Sequence, residues 1–262
     1  MKTVNQVKRL DDLVFKEFQT YFKKLTESDF SKKFPTTLQM SVAFTVTSDF
    51  IKNSIFTCSE NDDLFGAKIL FRSLIEHYLR FKYIWFNWIK FKDDSKAIKY
   101  KELTYAREIL DMIKAEINAH KLTDPTLNVN WDSLLEEIPA CKGLTKREIE
   151  EETLNYTYKN IIKLLKEIDN DGVETTFFKS LIVEYSKLSA YVHGGVTSHQ
   201  EFIAFNDKAI RKTEFNRICG LSFQMTASIK LFTLLMVIQL ETDRKIFEKS
   251  YLKIDYILNK MK

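Results

Sequence analysis

Apolar residues recur along this chain every three or four positions, the repeat of a helix with one buried face, and almost nowhere in the strict alternation of a half-buried strand. Val7, Leu10, Val14, Phe18 and Phe22 set the pattern and predict a first helix over about 4–24. Pro35 interrupts it, and a second helix is expected over about 37–57. The acidic stretch Ser59-Glu-Asn-Asp-Asp63 offers capping groups for a third helix that ends near Ile89, and Asp93-Asp-Ser95 opens a fourth that runs to about His120.

Over 122–150 the periodicity fails, because Pro125, Asn128, Asn130, Pro139 and Gly143 crowd one segment. A long irregular insert of this kind is expected to act as a lid, an interaction loop or a mobile segment. Within it, Thr145-Lys-Arg-Glu148 is a capping-box pattern that starts the next helix. Further helices are predicted over about 150–168, 174–193, 208–240 and 243–260.

Composition narrows the class. Six Gly and three Pro against 21 Phe and 11 Tyr leave too few turn-formers for many short strands, and 45% hydrophobic residues in 262 suffice for a substantial core. The expected fold is therefore all-α: one multi-helix domain over 1–262, elaborated by the insert at 122–150. The apolar runs at 83–89 and 231–238 are each shorter than the roughly 20 residues that cross a bilayer, so both are read as buried helix and no membrane partner is expected. Cys58, Cys141 and Cys219 lie far apart with no Cys-x-x-Cys pair, which suits free thiols in a reducing compartment. The first residues, Met1 to Arg9, lack the apolar core of a signal peptide, so a cytoplasmic location is expected.

The formal net charge is +4, too mild for a dedicated duplex-DNA binder. From residue 208 onward, however, eleven Lys and Arg face five Asp and Glu. Either a polyanion is drawn there or the excess coats a solvated helix face.

Two segments carry candidate chemistry. The third helix sets Arg72, Glu76 and Arg80 four residues apart within an apolar sequence, continued by Tyr83 and Asn87. Such a stripe is costly to bury unless its members pair with one another or with a ligand. It is either a structural ion-pair ladder or a pocket wall in which an arginine holds an anion and Glu76 fixes the guanidinium. His77 lies nearby, but at i+5 from Arg72 it points about 140° away on an ideal helix. The second segment, Tyr185-Ser-Lys-Leu-Ser-Ala-Tyr-Val-His-Gly-Gly195, ends a helix abruptly and aligns Tyr185, Ser189 and His193 at i, i+4 and i+8. His193 suits proton transfer beside a backbone opened by glycine, with Ser189 one turn below to select its tautomer. The competing reading makes Gly194 a helix C-cap, His193 a cation at the negative helix end, and Ser189 a donor to a carbonyl of its own helix. Gly-rich phosphate loops, Gly-x-Ser-x-Gly and His-Glu-x-x-His are absent from the sequence, and no metal or cofactor is expected.

The segments 72–76 and 185–194 resemble those of an uncharacterised bacterial helical family related to HEPN-like domains, a likeness that spans roughly residues 40–240. It implies an α-helical bundle, often a homodimer. It also implies RNA or nucleotide as ligand, a protein partner or antitoxin, and a place in stress or phage defence. Many such proteins are metal-independent RNases whose motif is Arg, four to six residues, then His near a helix end. On that resemblance His193 stands at the motif histidine and Ser189 at the small polar place within it. Ser186, Lys187 and Leu188 occupy the arginine positions. Only Lys187 could supply the charge in place, unless Arg72 reaches in from the neighbouring helix. The expectation is a binding module that is catalytically silent or weakly active. The alternatives are a metal-independent endoribonuclease using His193 with Arg72 or Lys187, and an unrelated helical enzyme using Arg72, Glu76 and Arg80 on a small anion.

Overall fold

Several helices begin where a side chain can satisfy their free N–H groups. Thr3 and Gln6 form a reciprocal capping box at α1 (Val4–Thr26), and Ser28 caps the short α2 (Asp29–Lys33). Asp63 accepts from the Gly66 N–H at 2.8 Å to start α4 (Leu64–Phe91). Between them α3 (Pro35–Glu60) has proline in its first turn, where the missing N–H costs nothing, but its flanking residue Phe34 cannot cap. Asp94 does so from a distance: its carboxylate accepts from the Thr36 and Thr37 N–H groups at 2.8 and 2.7 Å. Asp94 thereby caps α3 rather than α5 (Ser95–Lys121), the helix it precedes, and pins the two together.

The computed structural model describes residues 2–168, 173–240 and 244–261, and over these it is all-helical, with no strand. The remaining elements are α6 (Trp131–Glu136), α7 (Lys146–Thr153), a 3-10 turn (Leu154–Tyr156), α8 (Tyr158–Ile168), α9 (Val173–Val192), α10 (Val196–Ala204), α11 (Lys208–Ile238) and α12 (Lys245–Asn259). Helices α3 and α4 pack along each other, α11 lies against both, and α1 and α12 flank α11. Helices α8 and α9 cover another side of α4. The apolar core is continuous from Val7 to Ile257, consistent with one multi-helix domain. Trp88 anchors its lower end, with Phe30 and Phe34 rings at 5.2 and 5.8 Å.

Where α3 and α11 meet, small polar residues replace bulky ones. Ser41, Thr45 and Thr233 are buried and return their hydroxyls to carbonyls of their own helices, so the stripe is satisfied without crossing the interface. At one end it closes on a buried charge cluster. Lys52 donates to Asp11 at 2.6 Å and to Asp49 at 2.9 Å, and Lys230 donates to Asp49 at 2.6 Å. Burial pushes the Asp11 carboxyl up and the Lys230 ammonium down, against their mutual attraction.

Several expectations need correcting. The helix predicted over 150–168 is two helices, since the chain turns at Leu154–Tyr156 to bury Tyr156 against Tyr83 and Tyr100 at 5.4 and 4.9 Å. The short helices α2 and α10 fall in segments the periodicity left unassigned. The insert at 122–150 is only partly irregular: it contains α6, and Leu135, Cys141 and Ile149 bury with Ala106 and Leu110 of α5 as a second, smaller core. The 231–238 run belongs to α11, long and apolar enough by composition to cross a bilayer, yet its Leu234, Met236 and Val237 are buried inside the fold. Cys58, Cys141 and Cys219 are unpaired thiols, as read from their spacing.

Candidate functional site

Four polar side chains that are far apart in sequence meet where α4 crosses α9. Arg72 and Glu76 rise one turn apart on α4, and Tyr185 and Ser189 one turn apart on α9. Arg72 Nε donates to Ser189 Oγ at 3.2 Å, and Arg72 Nη2 to the Tyr185 hydroxyl at 2.6 Å. The Tyr185 hydroxyl donates onward to Glu76 Oε1 at 2.8 Å, and Arg72 Nη1 stands 3.8 Å from Glu76 Oε2. The guanidinium also lies over the Tyr185 ring at 4.5 Å, and Tyr158 packs against that ring at 4.3 Å. A planar fork with donors in three directions is what lets one side chain hold three partners.

Burial, and then the bond to Glu76, push the Tyr185 phenol up to about 12. A phenol raised in the folded state contributes stability that is intact below its ordinary value of about 10 and is lost as pH rises from there through about 12. Following tyrosinate absorbance and unfolding together in wild type and Tyr185→Phe, the difference is expected to show one late-titrating phenol and a shallower alkaline loss of stability in the variant. Identical titrations would mean that Tyr185 is not held as described.

His193 lies just past the end of α9, one turn beyond Ser189, and is exposed. Gly194 adopts φ +63° and the Gly195 N–H closes onto the Ala190 carbonyl at 2.8 Å, the geometry of a glycine-terminated helix. Ser189 donates its hydroxyl to the Tyr185 carbonyl at 3.0 Å while accepting from Arg72, so it braces the α4–α9 seam.

The other candidates separate. Arg80 bonds Tyr100 of α5 and so leaves the Arg72 cluster. His77 turns its Nδ1 to the Ser73 carbonyl at 3.0 Å and packs edge-on to Phe44, and burial lowers its pKa. Lys187 points to a different cavity, shared with Lys68, Glu201 and Arg217. The single anion-binding wall of Arg72, Glu76 and Arg80 is therefore divided between two helix interfaces.

Lys68 escaped the sequence reading, although it extends the ladder one step, four residues before Arg72. Its side chain is 5% exposed and bonds both Tyr191 and Glu201. The signal was available in spacing but not in partners, since Tyr191 and Glu201 come from α9 and α10. Of the eleven basic residues from 208 onward, Arg211 pairs with Asp62, Arg217 with Glu184 and Glu214, Lys230 with Asp49, Arg244 with Glu248 and Lys253 with Glu17.

Residues 51–210 match the model of a protein family described as of unknown function, DUF5677, a span that includes α4, α9 and every member of the Arg72 cluster. Neither the curated proteins nor the solved structures contain a match to the chain.

Proposed function

The chain belongs to the family of unknown function DUF5677, and from that premise we propose that it is a HEPN-like helical module that binds RNA through backbone phosphate at the exposed end of α9, with little or no cleavage. The observation that carries this reading is the engagement of Arg72. Its Nε, Nη1 and Nη2 face Ser189, Glu76 and Tyr185, and Glu76 offsets its charge. Cleavage by attack of a ribose 2′-hydroxyl needs a proton-transferring group and a second cation free to meet charge developing on phosphorus. His193 is exposed and suits the first role, whereas Arg72 is tied internally and Lys187 lines another cavity. What remains on the surface is an imidazole at a glycine-opened helix end, suited to holding a phosphate. A place in stress or phage defence, and a homodimeric state, rest on the resemblance alone.

The test uses end-labelled single-stranded and structured RNA with EDTA present, comparing wild type, His193→Ala and Arg72→Ala. The expected result is RNA retained uncut by wild type and bound roughly three- to tenfold more weakly by His193→Ala, the size of one lost phosphate contact. Cleavage by wild type that disappears in both variants, with helicity preserved, would replace this reading with the metal-independent nuclease. Failure of wild type to retain either RNA would remove RNA as the ligand.

A further inference from the structure

One turn below Arg72 on α4, Lys68 faces a polar cavity of about 280 Å³ between α4, α9, α10 and α11. Its ammonium donates to the Tyr191 hydroxyl at 2.8 Å and to Glu201 Oε2 at 2.9 Å, and lies over the Tyr191 and Phe205 rings at 4.5 and 4.3 Å. Tyr191 donates to the same Glu201 oxygen at 2.6 Å. Lys187 lines the cavity as well and adds its charge to the field that holds Glu201 ionised. Burial alone would raise the Glu201 carboxyl, but the bonds from Tyr191 and Lys68 outweigh it and hold it low. One carboxylate is thus surrounded by two ammonium groups and a phenol.

The other two carboxylates at this cavity, Glu184 and Glu214, are both bonded to Arg217. Arg217 donates to Glu184 and Glu214 at 2.7 Å each, and Glu214 stands 3.7 Å from Lys68. Glu201 differs from them in two respects. It is 45% exposed, and it rides on α10, a nine-residue helix that packs chiefly on α9 and leaves Val196 and Ile203 both 72% exposed. Among the described side chains of α10, Glu201 ties the helix to α4 through Lys68 and to α9 through Tyr191, a polar fastening able to open locally. Gly194, with φ +63° and open space where a Cβ would stand, supplies a pivot at the junction of α9 and α10.

We propose that this cavity is a binding site for a small phosphate-bearing molecule, that Glu201 occupies it as an internal stand-in, and that α10 is the lid that withdraws Glu201 when the ligand enters. The chemistry selects phosphate over carboxylate. A tethered carboxylate acts at an effective concentration in the millimolar range, and a free carboxylate offers nothing better. A phosphate monoester brings roughly twice the charge and three acceptor oxygens to the same donors. Tyr191 is raised well above the usual phenol range by burial and by Glu201, and stays protonated to donate. The site goes beyond the RNA reading and stands or falls separately, because its probes are small phosphates.

The experiment titrates inorganic phosphate and adenosine 5′-monophosphate into the full chain by calorimetry at matched ionic strength, for wild type, Glu201→Gln and the Lys68→Met/Glu201→Gln double variant. Glu201→Gln is expected to bind at least about tenfold more tightly than wild type, because the competitor is gone, and the double variant to lose binding. Saturating phosphate is expected to speed amide exchange across 196–204 in wild type. Tighter binding of the nucleotide would identify an ester as the ligand, and equal binding the free ion; both support the site. Equal affinity in wild type and Glu201→Gln, or undiminished affinity in the double variant, would overturn it. Should Lys68→Met fail to fold, Lys187→Gln/Glu201→Gln replaces the double variant, with weakened phosphate binding expected and unchanged binding overturning the proposal.

Discussion

Asp49→Ala is expected to lower the unfolding free energy by about 3–5 kcal/mol, the cost of breaking a buried ion pair from one side. In a chain of this size that is a fall in Tm on the order of 10 °C. Asp49 accepts from Lys52 and Lys230, both 1% exposed, so its loss leaves two buried ammonium groups with, among the described residues, Asp11 as the one carboxylate bonded to either. Lys230 then has no partner at bonding distance among the described residues and must either lose its proton, toward which burial already drives it, or draw water into the α3–α11 interface. Lys230→Met in the Asp49→Ala background is expected to recover more than half of the loss, because it removes the stranded charge and keeps the volume. Denaturant unfolding of the three proteins decides the matter. A loss below about 1 kcal/mol for Asp49→Ala would place the cluster in contact with solvent.

Arg72→Ala is expected to cost about 2–3 kcal/mol, in the range of hydrogen bonds made by a charged donor. The substitution removes the donor from which the Tyr185 and Ser189 hydroxyls accept, and leaves Glu76, which is 30% exposed, without its cation. Arg72→Lys keeps the charge but not the fork, and is expected to recover less than half. Because Arg72 and Glu76 share Tyr185, the double variant Arg72→Ala/Glu76→Ala should fall short of the sum of the single losses by about 1 kcal/mol. Strict additivity would show that the cluster does not act as a unit. The prediction also bears on function: a loss of RNA binding in Arg72→Ala is informative only alongside its stability, whereas His193, exposed and outside the cluster, reports on the ligand directly.

Helix periodicity made the fold class legible, and the reasons are visible in particular elements. Val7 to Phe22 repeat on one face and do form α1, and Thr145 with Glu148 does form a capping box. Elements held by few or distant contacts were not legible. Helix α2 has five residues and one buried anchor, Phe30, too short for a period to register. The Asp94 cap on α3 joins positions 94 and 36, which no local pattern reports. In the site, the i, i+4 spacing identified Arg72, Glu76, Tyr185 and Ser189 correctly as two polar ladders. Spacing could not say that the ladders face each other, nor that Arg80 and Lys187 would turn to other neighbours. Lys68 was hidden for the opposite reason: a lone lysine near the start of a helix looks solvated until α9 and α10 close over it.

The placement of α11 has a consequence for how the molecule is made. The helix against which α1, α3 and α4 all pack is synthesised well after them. At about 5–20 residues per second, on the order of ten to forty seconds separate the emergence of α3 from completion of α11. Throughout that interval the nascent chain carries apolar faces on α1, α3 and α4 that have each other but not their common partner. The α3–α4 hairpin, local in sequence and already capped by Asp63 at its turn, is the unit able to form early and wait. The N-terminal helix cannot: its resting place is built by residues that leave the ribosome about two hundred positions later, as the Val4 N–H bonded to Asn216 Oδ1 shows.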